Sequence, residues 1–161
     1  MWCSIYQFVP DKTTASLTFK LQHRIEDTGR YITGMVVTDY DHLLLCNNSR
    51  KLLAVYYLSG KYMKTIDVSY PPWDIAIISR THRAVVTFGF GKSQIQFINL
   101  QTFTQDDKLI TIPNSIFIYS IAATSGNIIL GDTRRIHCLD TERTYLSTIN
   151  YQHNIMHNTA A

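Results

Sequence analysis

The chain has 161 residues, 45% hydrophobic, 17% charged and 12% aromatic, with a formal net charge of +3. That is about the length of one ordinary domain, with enough apolar side chain for a packed core and too little charge for a disordered chain. Cys3, Cys46 and Cys138 are odd in number and far apart, with no Cys-x-x-Cys, which argues against a disulfide framework and for a reducing compartment.

In chain order, residues 1–14 carry no basic segment followed by an apolar stretch of signal-peptide length and read as a disordered lead. Ala15 to Ile25, "ASLTFKLQHRI", reads as a single strand. Three units of similar layout follow, at about 32–70, 73–112 and 116–150. Their first runs are "ITGMVVT", "WDIAIIS" and "YSIAATS", and their second runs are "HLLLCNN", "RAVVTFG" and "NIILGD". Third runs align Leu53 with Ile95 and Ile136, then Val55 with Phe97 and Cys138. A weaker fourth run, such as "KYMKTIDV", closes the unit. Residues 151–161 read as a frayed polar tail.

Four short strands in roughly 40 to 50 residues are the signature of a propeller blade. The expected fold is therefore all-β, a partial β-propeller of about three four-stranded blades plus a strand of a fourth. An ordinary sandwich is the alternative. Ile32, Trp73 and Tyr119 should begin equivalent inner strands. Because propellers close with typically 4 to 8 blades, three blades predict a fragment that self-associates through open blade edges. The Trp73-Asp74 pair opens a first strand rather than closing a third, so it is not a WD repeat. The longest apolar run, Leu52 to Leu58, is far short of the roughly 20 residues of a spanning helix. The expectation is a soluble, cytoplasmic chain with no membrane association.

"YITGMVVTDYDHLLLCNNSRKLLAVYYLSGKY", "PPWDIAIISRTHRAVVTF" and "IQFINLQT" resemble the C-terminal, NHL-like propeller region of tripartite-motif (TRIM)-like proteins of the molluscan type. The resemblance covers about residues 17–150. It implies a non-catalytic module that recruits a protein partner, with an RNA-binding surface as the alternative. It does not bring ubiquitin-ligase activity, because a RING needs two zinc ions with four Cys or His ligands each, and these spacings do not supply them.

Candidate chemistry is sparse. "GFGKS" at Gly89 to Ser93 mimics a phosphate-binding loop but has Val86 where that loop needs glycine, so it reads as a hairpin turn. His153 and His157 are too few to hold zinc. Cys46 and Cys138 read as inert core thiols. Asn47-Asn48-Ser49 reads as turn chemistry. Asp74, Thr33 and Ser120 are too few oxygens for a calcium site, which wants about 6 to 8. No cofactor, no metal and no enzyme activity are expected, with a propeller hydrolase or lactonase as a distant alternative. What remains is a set of cations: Arg50 and Lys51, Lys92, then Arg134 and Arg135, each after a second strand, with Arg30 before the first. Repetition should place them on one rim facing an anionic partner, although cations are common in any solvated turn.

Overall fold

The computed structural model describes residues 3–10, 17–25, 31–89 and 91–150. Every regular element among them is a strand. Blade 1 holds β3 (Ile32–Val37), β4 (His42–Asn47), β5 (Leu52–Tyr57) and β6 (Tyr62–Asp67). Blade 2 holds β7 (Asp74–Ile78), β8 (Arg83–Thr87), β9 (Gln94–Asn99) and β10 (Thr104–Thr111). Blade 3 holds β11 (Ser120–Ala123), β12 (Asn127–Gly131), β13 (Arg135–Asp140) and β14 (Tyr145–Asn150). Each blade is a four-stranded antiparallel meander in sequence order. This is the all-β, propeller-type architecture that the repeat requires.

The registers agree across the blades. Leu53 lies opposite Cys46, Ile95 opposite Thr87 and Ile136 opposite Gly131. A shift in register recurs between the third and fourth strands of every blade, at Val55/Tyr56, Gln105/Leu109 and Cys138/Leu139. Such bulges increase the local twist at the outer edge of a blade. Trp73 and Tyr119 stand one residue before their first strands, donating their amides to Thr87 O at 2.7 Å and Gly131 O at 2.9 Å.

The core lies between blades. Leu44, Cys46, Leu53 and Val55 of blade 1 pack with Ile75, Ala84, Val86 and Ile98 of blade 2. The opposite face of blade 2 offers Val85, Ile95 and Phe97 to Ile128, Leu130 and Leu139 of blade 3. Alternate residues of one strand thus serve two different interfaces. Each Val, Leu, Ile or Phe among them contributes about 1.5–3 kcal/mol on full burial. Burial, with the nearby charge of Asp74, pushes the Cys46 thiol well above the ordinary range, which leaves it a packing group.

Three expectations need correction. Residues 1–14 are not a disordered lead throughout, because Cys3–Pro10 forms β1. Its "IYQFV" run is rich in β-formers. Where one extra strand is expected there are two, since β1 pairs antiparallel with β2 (Leu17–Ile25) in a separate two-stranded sheet. Cys138 is no core thiol. It is half-buried on the face of blade 3 turned away from blade 2, where no described blade covers it.

Candidate functional site

The turn joining second to third strand and the connection joining one blade to the next lie at the same end of each blade. Hydrogen bonds tie them together. Asn48 Nδ2 donates to Pro72 O at 3.0 Å, and Thr33 Oγ1 donates to the same oxygen at 2.9 Å. Lys92 Nζ sits 4.1 Å from the Tyr70 ring centroid, a cation–π contact across the blade 1–blade 2 connection. Arg135 donates to Asn114 O in the next connection. The three cationic loops therefore stand on one rim. Arg50, Lys51 and Arg134 are exposed, and Lys92 and Arg135 are half-buried against the connections they touch. Arg30, His153 and His157 lie outside the described residues.

Local chemistry fixes these loops. Asn47 Oδ1 accepts the Arg50 amide at 3.1 Å, so the Asn-Asn-Ser stretch is a turn. Asp132 Oδ1 accepts the amides of Arg134 at 2.7 Å and Arg135 at 2.6 Å, holding both arginines at the start of β13. The "GFGKS" turn has Gly89 at φ +47 and Gly91 at φ +74. A Cβ on Gly89 would come within 2.9 Å of the Trp73 ring. The first glycine therefore answers to an indole lying flat on the backbone, not to a phosphate.

A row of aromatics crosses the same rim, and the sequence reading missed it. Tyr31 to Trp73 is 6.5 Å between centroids, Trp73 to Tyr119 is 6.4 Å, and Phe117 stacks on Tyr119 at 5.7 Å. Tyr31 is 45% exposed, while Trp73 and Tyr119 are half-buried. The signal was present as large aromatics beside the start of each first strand.

Asp74, the carboxylate considered for metal, is otherwise engaged. Its Oδ1 accepts the Ile75 amide at 2.9 Å and its Oδ2 accepts the Ile121 amide of blade 3 at 3.1 Å. On the other side Gly34 of blade 1 presses so close that a Cβ there would lie 2.9 Å from Asp74 Cα. One residue thus joins three inner strands. Among the described residues no group of three His, Cys, Asp or Glu side chains is placed to hold a metal ion.

A second buried network was also missed. His137 is fully buried, with Nε2 2.9 Å from Asp132 Oδ2 and Nδ1 2.9 Å from the Tyr145 hydroxyl. Burial acts to raise the Asp132 pKa. Hydrogen bonds from His137, from the amides of Arg134 and Arg135 and from Ser115 outweigh it and hold the carboxyl below its ordinary value. The Asp-His-Tyr chain joins the second-to-third turn of blade 3 to its outer strand.

This geometry defines a propeller-type scaffold with one rim of cations and aromatics. No family model matches the chain, and no curated protein matches it. Among solved structures it is similar to Kuenenia stuttgartiensis hydrazine synthase, with TM-score 0.72 and 15% identity over 91% of this chain and 46% of that one. The chain spans less than half the length of that structure, and the likeness is one of fold. No helix among the described residues is long and apolar enough to cross a membrane.

Proposed function

We propose that the chain is a non-catalytic recognition module that presents its cationic, aromatic rim to an acidic segment of a partner protein. The observation that carries this reading is the shared placement of Arg50, Lys51 and Arg134 with the Tyr31–Trp73–Tyr119 row. Cations steer an anionic partner, and rigid aromatics with arginine are the side chains that anchor interfaces. The resemblance to TRIM-like propellers that recruit substrates supports the same reading. A cytoplasmic setting suits the free thiols of Cys46 and Cys138. RNA is the second reading, because single strands also use cations with stacking platforms.

The test is fluorescence anisotropy with a polyglutamate peptide and with oligouridine, each over a salt series. Replacing Arg50, Lys51 and Arg134 together with alanine is expected to weaken the peptide by about tenfold. The protein reading requires peptide binding that survives unrelated RNA as competitor. Tighter oligouridine binding, with a salt slope that falls by about 0.7 for each lost phosphate contact, transfers the function to RNA. Unchanged binding of both probes in the triple variant overturns the rim as a site.

A further inference from the structure

The cations of the rim leave its apolar part unexplained. Ile116, in the connection from blade 2 to blade 3, is 70% exposed, the highest value for a large apolar side chain among the described residues. Tyr31, at the entry to blade 1, is 45% exposed. Between these two stand Trp73 and Tyr119, each half-buried rather than sealed. Single exposed apolar side chains are ordinary, whereas a contiguous set rimmed by polar residues marks a contact site.

The blade repeat spaces this row. Tyr31, Trp73 and Tyr119 each stand one residue before a first strand, and their centroids are 6.5 Å and then 6.4 Å apart. Packing between neighbouring rings is a sufficient reason for such distances, since edge-to-face pairs span about 4.5–7 Å. It gives no reason for the exposure, because the apolar side chains that join the blades elsewhere are sealed. The indole of Trp73 is also braced on the Gly89 backbone, where a Cβ would come within 2.9 Å of the ring. The platform is thus rigid in advance of any partner, which lowers the entropic cost of binding.

The spacing selects a partner conformation. Alternate side chains on one face of an extended strand are about 6.6–6.8 Å apart, from a rise of about 3.3–3.4 Å per residue. Same-face neighbours on an α-helix lie about 5–6 Å apart, and those on a polyproline helix about 9 Å apart. The extended strand fits best. It also turns successive side chains to opposite faces. The second-to-third turns all lie on the same side of the first strands, so the cations form a second row beside the aromatic one. We propose that the rim holds its partner as an extended segment of alternating acidic and apolar residues. The apolar side chains lie on the Tyr31, Trp73 and Tyr119 rings, and the acidic ones point toward Arg50, Lys51 and Arg134. This inference rests on the recognition reading and adds to it the conformation and residue pattern of the partner.

Fluorescence anisotropy with two heptapeptides of one composition and charge tests it. One is Glu-Val-Glu-Val-Glu-Val-Glu, and its isomer carries the three valines together. The alternating peptide is expected to bind at least about tenfold more tightly than the isomer. Tyr31→Ala changes an exposed side chain, so the fold should hold. It is expected to weaken the alternating peptide about fivefold and to leave the isomer unchanged. In that variant, replacing one of the two outer valines by alanine should no longer matter, whereas in the parent chain it should. Replacing Arg50, Lys51 and Arg134 together with alanine is expected to weaken both peptides alike and preserve their ratio. Equal binding of the two isomers overturns the extended register and leaves the recognition reading in place. So does a preference that persists in full in Tyr31→Ala. Binding of neither peptide overturns both readings, and tighter binding of oligouridine than of the alternating peptide removes the peptide from both.

Discussion

Blades 2 and 3 are built from matching strands and are buried in different ways. In blade 2, Val85, Ile95 and Phe97 are no more than 1% exposed. Their counterparts in blade 3, Ile129, Ile136 and Cys138, are only half-buried. The other faces behave alike: Ala84, Val86 and Ile98 in blade 2 and Ile128, Leu130 and Leu139 in blade 3 are all sealed. Blade 2 has a described neighbour on both sides and blade 3 on one. Burial at a given repeat position is thus set by the presence of the next blade, not by the residue's own hydrophobicity.

The largest test of that difference pairs Phe97→Ala with Cys138→Ala. In urea denaturation the first is expected to cost about 3–5 kcal/mol, as a large side chain lost from a sealed interface. The second is expected to stay within about 0.5 kcal/mol, as at an open surface. A large loss at Cys138 would show that the free face of blade 3 is covered in solution.

A smaller effect is expected where the two blades are joined at their inner strands. Asp74→Ala leaves the Ile121 and Ile75 amides without their acceptor, at a cost of about 1–3 kcal/mol each if they stay dry. Hydrogen exchange should speed up at Ile121 more than at the outer strands. Equal protection in the variant would mean that the carboxylate does not hold blade 3 in place.

The smallest effect is a pH dependence confined to blade 3. The Asp132 carboxyl is held below its ordinary value of 3.8 in the fold. A carboxylate so depressed contributes stability that is fully present above the unfolded value and is lost as pH falls through the folded one. Melting temperature should therefore drop on acidification below pH 3.8, the ordinary carboxyl value, with Asp132→Asn showing a shallower acid limb. Parallel acid limbs would place the sensitivity elsewhere, Asp106 being the other depressed carboxyl, through the Lys108 amide and Arg143.

The blades were legible because their signal is local: each strand is a short run, and the repeat aligns three of them per unit. What escaped notice depends on partners distant in sequence. Gln96 and His137 occupy one repeat position and are both fully buried. Gln96 reaches back to Ser69 and Asp106, whereas His137 turns to Asp132 and Tyr145. Neither choice follows from strand pattern. β1 was overlooked because a strand at the start of the chain had no aligned repeat to reveal it. Strand order fixed the end of the blade on which Arg50, Lys51, Lys92, Arg134 and Arg135 lie, though not what they meet there. Arg83 drew no attention as a link between blades 2 and 3, since its contact with Thr141 spans 58 positions.

The meander has a kinetic consequence. Within a blade every strand pairs with its immediate predecessor, so a blade can zip up from successive hairpins while paying for only short loops. Contacts between blades span longer stretches, 39 positions from Thr33 to Pro72 and 47 from Asp74 to Ile121. Among the described blades, blade 2 collects such contacts on both flanks. Docking should therefore spread outward from the middle of the chain, and during synthesis blade 1 waits for β7 to β9 to emerge before half of its apolar surface is sheltered.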